Sequence, residues 1–222
     1  MPKPGETCYT CGSSAVTDDH IPARCLFPEP RPANLFLIKV PSCSAHNHER
    51  GGDDDYFRLI MAVASADNQV AEKWIEKKML KYLKRNPKEL MRLLAGSHPR
   101  VPVTSTGGIV TGYRPAFTYD RPRLQRVVDA YARGIWYFEH KKALPQDFTV
   151  WEFDLNPNIK DYHALPNMSH HVSADRTFSY GIACFEKDPR YSMIAMRFYE
   201  KVIIVTGTGD SAGLKDDAGL PH

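Results

Sequence analysis

The sequence lacks any apolar segment long enough to cross a lipid bilayer. Its longest apolar runs, Leu59 to Ala64 and Val202 to Val205, fall far short of the roughly 20 residues that a spanning helix needs. The stretch from Met1 to Gly5 also lacks the apolar core of a secretory signal. Internal repeats and extended low-complexity tracts are absent as well. We therefore expect a cytoplasmic protein with no membrane partner.

The sequence also lacks a strong excess of charge of either sign. A net charge of +3 over 222 residues permits a polyanionic partner without requiring one, so the position of the charges must decide. Hydrophobic residues make up 42% of the chain, which is enough to fill a core and argues against a disordered protein.

Cysteine is scarce and its count is odd. The five cysteines are Cys8, Cys11, Cys25, Cys43 and Cys184. Without a secretory signal, closely spaced thiols indicate metal or redox chemistry rather than disulfides. Cys25 and Cys184 have no partner at such a spacing, and we expect both to be ordinary buried or half-buried thiols.

The remaining cysteines form part of a predicted zinc site. Cys8-x-x-Cys11 and Cys43-x-x-His46 are two pairs separated by 31 residues, and each pair can form a turn that directs two side chains at one ion. Four nitrogen and sulfur ligands are typical of a structural, tetrahedral zinc site. Zinc binding contributes about 10–16 kcal/mol in small metal-folded peptides, which would offset the ordering of this loop-rich segment. The alternative is a set of free thiols that happen to lie close together.

Hydrophobic periodicity predicts an α+β fold with four parts. Residues 1–58 form a zinc-bound ββα module, residues 59–96 a helical extension, residues 97–206 an α+β region, and residues 207–222 a flexible tail. Residues 97 to 120 indicate either an irregular connection or a weak hairpin. The predicted strands are Asn34 to Val40, Phe148 to Leu155, Thr177 to Glu186 and Tyr191 to Thr206. One predicted helix starts near Asp53. Three further predicted helices span Asn68 to Arg85, Asn86 to Gly96 and Pro122 to Lys142.

A possible catalytic group lies around the zinc ligands. Asp19 and His20 stand between the two Cys/His pairs, and Asn47 directly follows the second. Two strands and a helix joined at the zinc site would surround one centre. Asp19 and Asn47 could then offer oxygen ligands to Mg²⁺ or Mn²⁺, with His20 directed at a water beside a phosphate. Alternatively, Asp19 and His20 only stabilise a turn.

The motifs in this order resemble the HNH endonuclease family. The resemblance covers Cys-x-x-Cys, Asp-His-Ile-Pro, Asn-Leu and Cys-x-x-His-Asn-x-x-Arg-Gly, over about residues 6 to 58. The chain is also similar to an uncharacterised bacterial HNH subgroup in which an Asp-Asp-x-Tyr-Phe-Arg stretch follows the motif, as at residues 54–58. It departs from the commoner pattern at His46, where cysteine is more usual, and at Asn47, where many relatives have histidine.

The resemblance implies a role for each matching residue. His20 would be the general base, Asp19 and Asn47 would hold the catalytic Mg²⁺ or Mn²⁺, and Asn34 would brace the loop that carries the base. Arg50 would contact phosphate or stabilise the fold. His48 could exchange roles with its neighbour Asn47.

The expected function is hydrolysis of nucleic-acid phosphodiesters, with DNA favoured over RNA. Lys73, Lys77 and Lys81 recur at helical spacing and could follow a phosphate backbone, or could simply be the solvated face of a helix. Asp53 to Asp55 fit the start of a helix better than additional metal ligands. The alternatives to an enzyme are a zinc module that only binds nucleic acid and a protein-interaction module.

Overall fold

The structure is a computed structural model that describes residues 2–31, 35, 37–48, 50–65, 80–105, 107–153, 169–173 and 175–210. Within this part of the chain, helices alternate with three separate antiparallel sheets. The mixed α+β class predicted from the sequence is therefore confirmed. No helix in the described ranges is both long enough and apolar enough to cross a bilayer.

The N-terminal segment forms a hairpin followed by two helices. Strands β1 (Thr17–Ile21) and β2 (Ile38–Ser42) are antiparallel and flank a short 3-10 turn at Arg24–Leu26. Helices α1 (Ser44–His48) and α2 (Gly51–Ala64) follow directly. The strand predicted over residues 34–40 is thus shifted: β2 begins at residue 38 and continues to residue 42, and residues 34 and 36 lie outside the described part.

The middle of the chain holds two helices and a second hairpin. Helix α3 (Leu80–Arg85) covers the described end of the helix predicted from residue 68, and α4 (Pro87–Ala95) agrees with the predicted helix after Asn86. Among the strands described, β3 (Ser97–Thr104) and β4 (Val110–Phe117) pair only with each other. Of the two alternatives for residues 97 to 120, the hairpin is therefore correct.

Helix α5 (Arg121–His140) is the longest helix described and supports the N-terminal hairpin. Asp120 caps it through a hydrogen bond from the Arg123 backbone N–H, 3.2 Å long, and Lys141 ends it in a left-handed conformation. At Gly134 the helix approaches β1 so closely that an added Cβ would lie 2.4 Å from Ile21 Cγ1. Any other residue there would force the Ile21 side chain or the helix to shift.

The C-terminal half forms a five-stranded antiparallel sheet in the order β5-β9-β8-β7-β6. Its strands are β5 (Phe148–Phe153), β6 (Ser169–Val172), β7 (Phe178–Cys184), β8 (Ser192–Phe198) and β9 (Val202–Asp210). The single strand predicted over residues 191–206 is wrong, because Tyr199 and Glu200 adopt positive φ angles and turn the chain back. Strand β9 also continues past residue 206, pairing residues 207–210 of the predicted tail with β5.

One hydrophobic core joins the N-terminal segment to this sheet. Phe57 of α2 packs edge-on against Tyr131 of α5 and Phe198 of β8, at centroid distances of 5.6 and 5.1 Å. The Tyr199 hydroxyl also donates to the Leu26 carbonyl at 2.8 Å. The segment predicted as a separate module therefore shares its interior with residues 97–206.

Candidate functional site

The side chains of Cys8, Cys11, Cys43 and His46 meet at one point. Their donor atoms all lie within 4.8 Å of one another, and they are the only such His/Cys/Asp/Glu group among the described residues. The Cys11 and Cys43 sulfurs are 3.9 Å apart, and His46 Nδ1 lies 3.7 Å from Cys8 and 3.2 Å from Cys43. Zinc–sulfur bonds of about 2.3 Å at tetrahedral angles would separate two sulfurs by roughly 3.8 Å. The group can therefore hold a metal ion such as zinc.

Local backbone structure explains why these four donors converge. Gly12 has a φ of 73° and donates its N–H to the Cys8 carbonyl at 3.0 Å, which closes a tight turn behind the first pair. The second pair lies where β2 ends and α1 begins, with the Asn47 N–H donating to the Cys43 carbonyl. A hydrogen bond from Tyr9 N–H to the Pro41 carbonyl, 2.9 Å long, holds the first turn against β2.

Asp19 and Arg50 bind each other in the protein interior. Arg50 Nη2 lies 2.7 Å from Asp19 Oδ2, and Arg50 Nε contacts the Asp54 carboxylate at 3.2 Å. The Tyr9 hydroxyl donates to the same Asp19 oxygen at 2.9 Å and accepts from Arg50 Nη1 at 2.7 Å. The Tyr131 hydroxyl donates to Asp54 Oδ1 at 2.9 Å. Less than 10% of the surface of each charged residue is exposed to solvent, for Asp19, Arg50 and Asp54 alike. Their pairing therefore compensates charges that are shielded from water.

Electrostatic interactions within this network favour the charged form of Arg50. Neighbouring negative groups raise the pKa of the Arg50 guanidinium, despite its burial, so it stays charged. Burial raises the pKa of Asp54 to about 6, because the loss of hydration outweighs the nearby guanidinium. The HNH resemblance implies either contact with phosphate or stabilisation of the fold for Arg50, and its contacts with Asp19 and Asp54 are those expected of the second role.

The arrangement does not form the oxygen-lined cation site expected from the sequence. Asp19 Oδ1 accepts the His20 backbone N–H at 2.8 Å, and its other oxygen is held by the Arg50 guanidinium and the Tyr9 hydroxyl. Asn47 turns its amide nitrogen toward β1, donating to Thr17 Oγ1 at 3.1 Å. A divalent cation at Asp19 would have to approach a buried guanidinium of the same sign. The side chains of Asp19 and Asn47 therefore do not fit Mg²⁺ or Mn²⁺ in this conformation.

The acidic residues at the start of α2 also contact arginines. Asp53 is bound by Arg123 at 2.8 Å and by Arg126 at 2.7 Å, whereas Asp54 is bound by Arg50. These ion pairs support the interpretation that the acidic residues begin and anchor the helix, and they occupy the oxygens that a supplementary metal would need.

His20 lies on the opposite face of β1 from Asp19. The strand alternates, so Asp19 and Ile21 point into the core while His20 is only half-buried. His20 lines an open cavity of about 610 Å³ together with Arg24, Lys39 and the apolar side chains Leu35, Leu37 and Phe138. Lys39 is the cross-strand partner of His20 on β2.

The surroundings of His20 favour the neutral form of its ring. Partial burial lowers the pKa of His20 below its usual value, and the positive charges of Arg24 and Lys39 lower it further, against the opposing effect of Asp19 and Asp18. A neutral imidazole can accept a proton near pH 7. Sequence reasoning missed Arg24 and Lys39. The alternation of β2 and its pairing with β1 could have revealed Lys39, but the position of Arg24 depends on the turn between the strands.

The remaining predicted residues fall into two groups. Asn34, Lys73 and Lys77 lie outside the described residues. Lys81 is exposed on α3 and lines a cavity of about 660 Å³ that also contains Arg85 and Glu89.

The two unpaired cysteines differ from each other. Burial raises the pKa of Cys25 to about 12, as expected of an unreactive thiol. Cys184 is exposed, although the sequence suggested a buried or half-buried thiol, because it lies at the end of β7.

Comparison of the chain with protein-family models, with curated proteins and with solved structures found no match. The resemblance to HNH endonucleases therefore rests on the motifs in residues 6 to 58 alone.

Proposed function

We propose that this chain is an endonuclease that hydrolyses nucleic-acid phosphodiesters, DNA in preference to RNA, with His20 as the general base. The observation that carries this proposal is the cavity around His20. Apart from His20, the charged side chains that line this cavity within the described residues are the cations Arg24 and Lys39. Both are exposed. A polyanion fits such a cavity. By contrast, the cavity beside His46, about 880 Å³, is lined by charges of both signs, namely Arg50 and Arg126 together with Asp53 and Asp129.

The side chains of this cavity supply two requirements of the reaction. His20 takes a proton from a water molecule as the water oxygen forms a bond to phosphorus, and the bond to the leaving oxygen breaks. That oxygen then takes a proton from solvent. Arg24 and Lys39 offset the negative charge that grows on the phosphate. A positioned base typically contributes about 10²–10⁴-fold to the rate.

Zinc in this proposal is structural. Four protein ligands leave no open coordination position, as is usual for zinc that holds a fold together. The ion would fix the turn after Cys8 against the start of α1, and so would hold β1 and β2 in the register that places Lys39 opposite His20. The zinc site and the base are therefore coupled through the hairpin.

A second candidate is a zinc module that binds nucleic acid without cutting it. The observation that favours it is the pairing of Asp19 with Arg50, because this pairing removes the expected oxygen ligand of a catalytic cation. The same cationic cavity would then serve binding alone.

Cleavage assays distinguish the two candidates. Purified protein is incubated with supercoiled DNA, single-stranded DNA and RNA in the presence of Mg²⁺, beside His20→Ala and the control His170→Ala, which removes an exposed histidine of β6. We expect His20→Ala to abolish cleavage at normal zinc content and folding, and the control to cleave like the unmodified protein. Equal activity of His20→Ala would remove His20 from the mechanism, and DNA binding without any cleavage would favour the second candidate.

The pH dependence of cleavage provides a further measurement. Because the pKa of His20 is lowered, the acid limb of the rate profile should lie below the ordinary histidine value of about 6.5. Lys39→Met removes one of the charges that lowers it, so the limb should move to higher pH. An unchanged limb would mean that His20 is not the titrating base.

A further inference from the structure

The hairpin of β3 and β4, called the arm below (Ser97–Phe117), is exposed along most of its length. Every residue of β3 is exposed except Val101, which is partly buried. Among the described residues, nine large hydrophobic side chains are exposed, and four of them lie on the arm. These four are Val103, Ile109, Val110 and Tyr113. The arm forms a sheet of its own and is attached to the core near Phe117.

The charge of the arm has one sign. The sequence contains no aspartate or glutamate between Glu89 and Asp120, whereas Arg100 and Arg114 fall inside the arm. The Arg100 guanidinium lies over the Tyr113 ring, 4.4 Å from its centroid, with both side chains exposed. Stacking holds the guanidinium in a defined direction while its N–H groups remain open to solvent. Such a surface is complementary to a polyanion.

The prolines of the arm argue against pairing with a strand of another protein. Pro99 and Pro102 lie in β3 and Pro115 lies in β4. Proline has no backbone N–H, and its presence in both strands disfavours the addition of a further strand to the arm. A partner that binds through side chains fits better than one that extends the sheet.

We propose that the arm enters a groove of double-stranded DNA, with Arg100 on the phosphate backbone. Strands of eight residues span roughly 27 Å, and the major groove, about 12 Å wide, admits a two-stranded ribbon. A groove has two walls, so it can contact both exposed faces of the arm. A single strand of DNA would contact only one face. The inference rests on the proposed function in taking nucleic acid as the substrate, but it does not depend on catalysis.

Binding measurements test the arm directly. Each protein carries His20→Ala so that the DNA stays intact, and the affinity for a labelled duplex and for one of its strands is measured by fluorescence anisotropy at several salt concentrations. The arm variant is Arg100→Ala/Tyr113→Ala. The control, Phe185→Ala/Lys187→Ala, removes one exposed aromatic and one exposed cation at the β7–β8 turn.

We expect the arm variant to bind the duplex about tenfold more weakly. Its affinity should also fall less steeply with salt concentration, by the amount that corresponds to the loss of about one phosphate contact. The control should bind like the parent. Unchanged duplex binding by the arm variant would overturn the proposal, and so would an equal or larger loss on the single strand. Failure of the proposed nuclease function would give a different result. Binding of the duplex would still depend on the arm, but the protein with His20 restored would not cleave any substrate.

Discussion

Replacement of Arg50 by methionine tests whether this residue stabilises the fold. Its guanidinium pairs with both the Asp19 and the Asp54 carboxylates, which belong to residues that are 4% and 7% exposed. Methionine keeps most of the volume, so little of the effect should come from a cavity. Removing one partner of a buried ion pair costs about 3–5 kcal/mol, because the remaining charge is left without compensation. We expect Arg50→Met to lower the free energy of unfolding by this amount at pH 7.

The assay is urea unfolding of zinc-saturated protein, followed by tryptophan fluorescence and circular dichroism. Arg126→Met is the matched control, because Arg126 pairs with Asp53 but its side chain is 59% exposed. Such a pair contributes less than about 1 kcal/mol. Adding Asp19→Asn and Asp54→Asn to Arg50→Met removes the stranded charges and should recover at least half of the loss.

The pH dependence of Arg50→Met has a defined sign. The pKa of Asp54 is about 6 even beside Arg50, well above its value in an unfolded chain, and it should rise further without the guanidinium. A raised pKa in the folded state means that the folded protein binds the proton more tightly, so the variant should regain stability as the pH falls from 7 to 5. Stability equal to that of Arg126→Met, or no recovery in the triple variant, would refute this account of the network.

Two further predictions concern the elements around the site. Cys43→Ser should lose bound metal, measured by elemental analysis, and should destabilise the N-terminal segment; a normally folded, metal-free variant would contradict a structural zinc. Gly134→Ala should cost about 1–3 kcal/mol in urea unfolding because the new Cβ would collide with Ile21. Gly52→Ala, which meets nothing within 4 Å, is its control, and equal stability of both variants would show that α5 can move away from β1.

The sequence by itself identified the four residues that can hold a metal ion and much of the secondary structure. Cys8-x-x-Cys11 and Cys43-x-x-His46 each form a local turn, so their spacing is enough to predict that each pair converges. Helix α5 was predictable for a similar reason, since its capping Asp120 and its apolar periodicity act within a few residues.

Strand bounds were less predictable than helix bounds. Tyr199 and Glu200 adopt a turn that no glycine or proline marks, so the break between β8 and β9 left no local signal. Strand β9 continues to Asp210 because its buried Thr208 contacts Ser192 on the neighbouring strand at 2.8 Å, a contact that depends on sheet pairing.

Only the tertiary structure decided which polar groups meet at the site. Asp19 and His20 are neighbours in sequence, yet strand alternation sends one into the core and the other into an open cavity. The partner of Asp19 is Arg50, 31 residues away, because a buried carboxylate must be neutralised by whatever cation the packing of α2 against the hairpin brings to it. Arg24 and Lys39 surround His20 because of hairpin geometry. Contacts between residues that are far apart in the chain leave no pattern in the spacing of residues. The sequence could therefore name the candidate residues without fixing their roles.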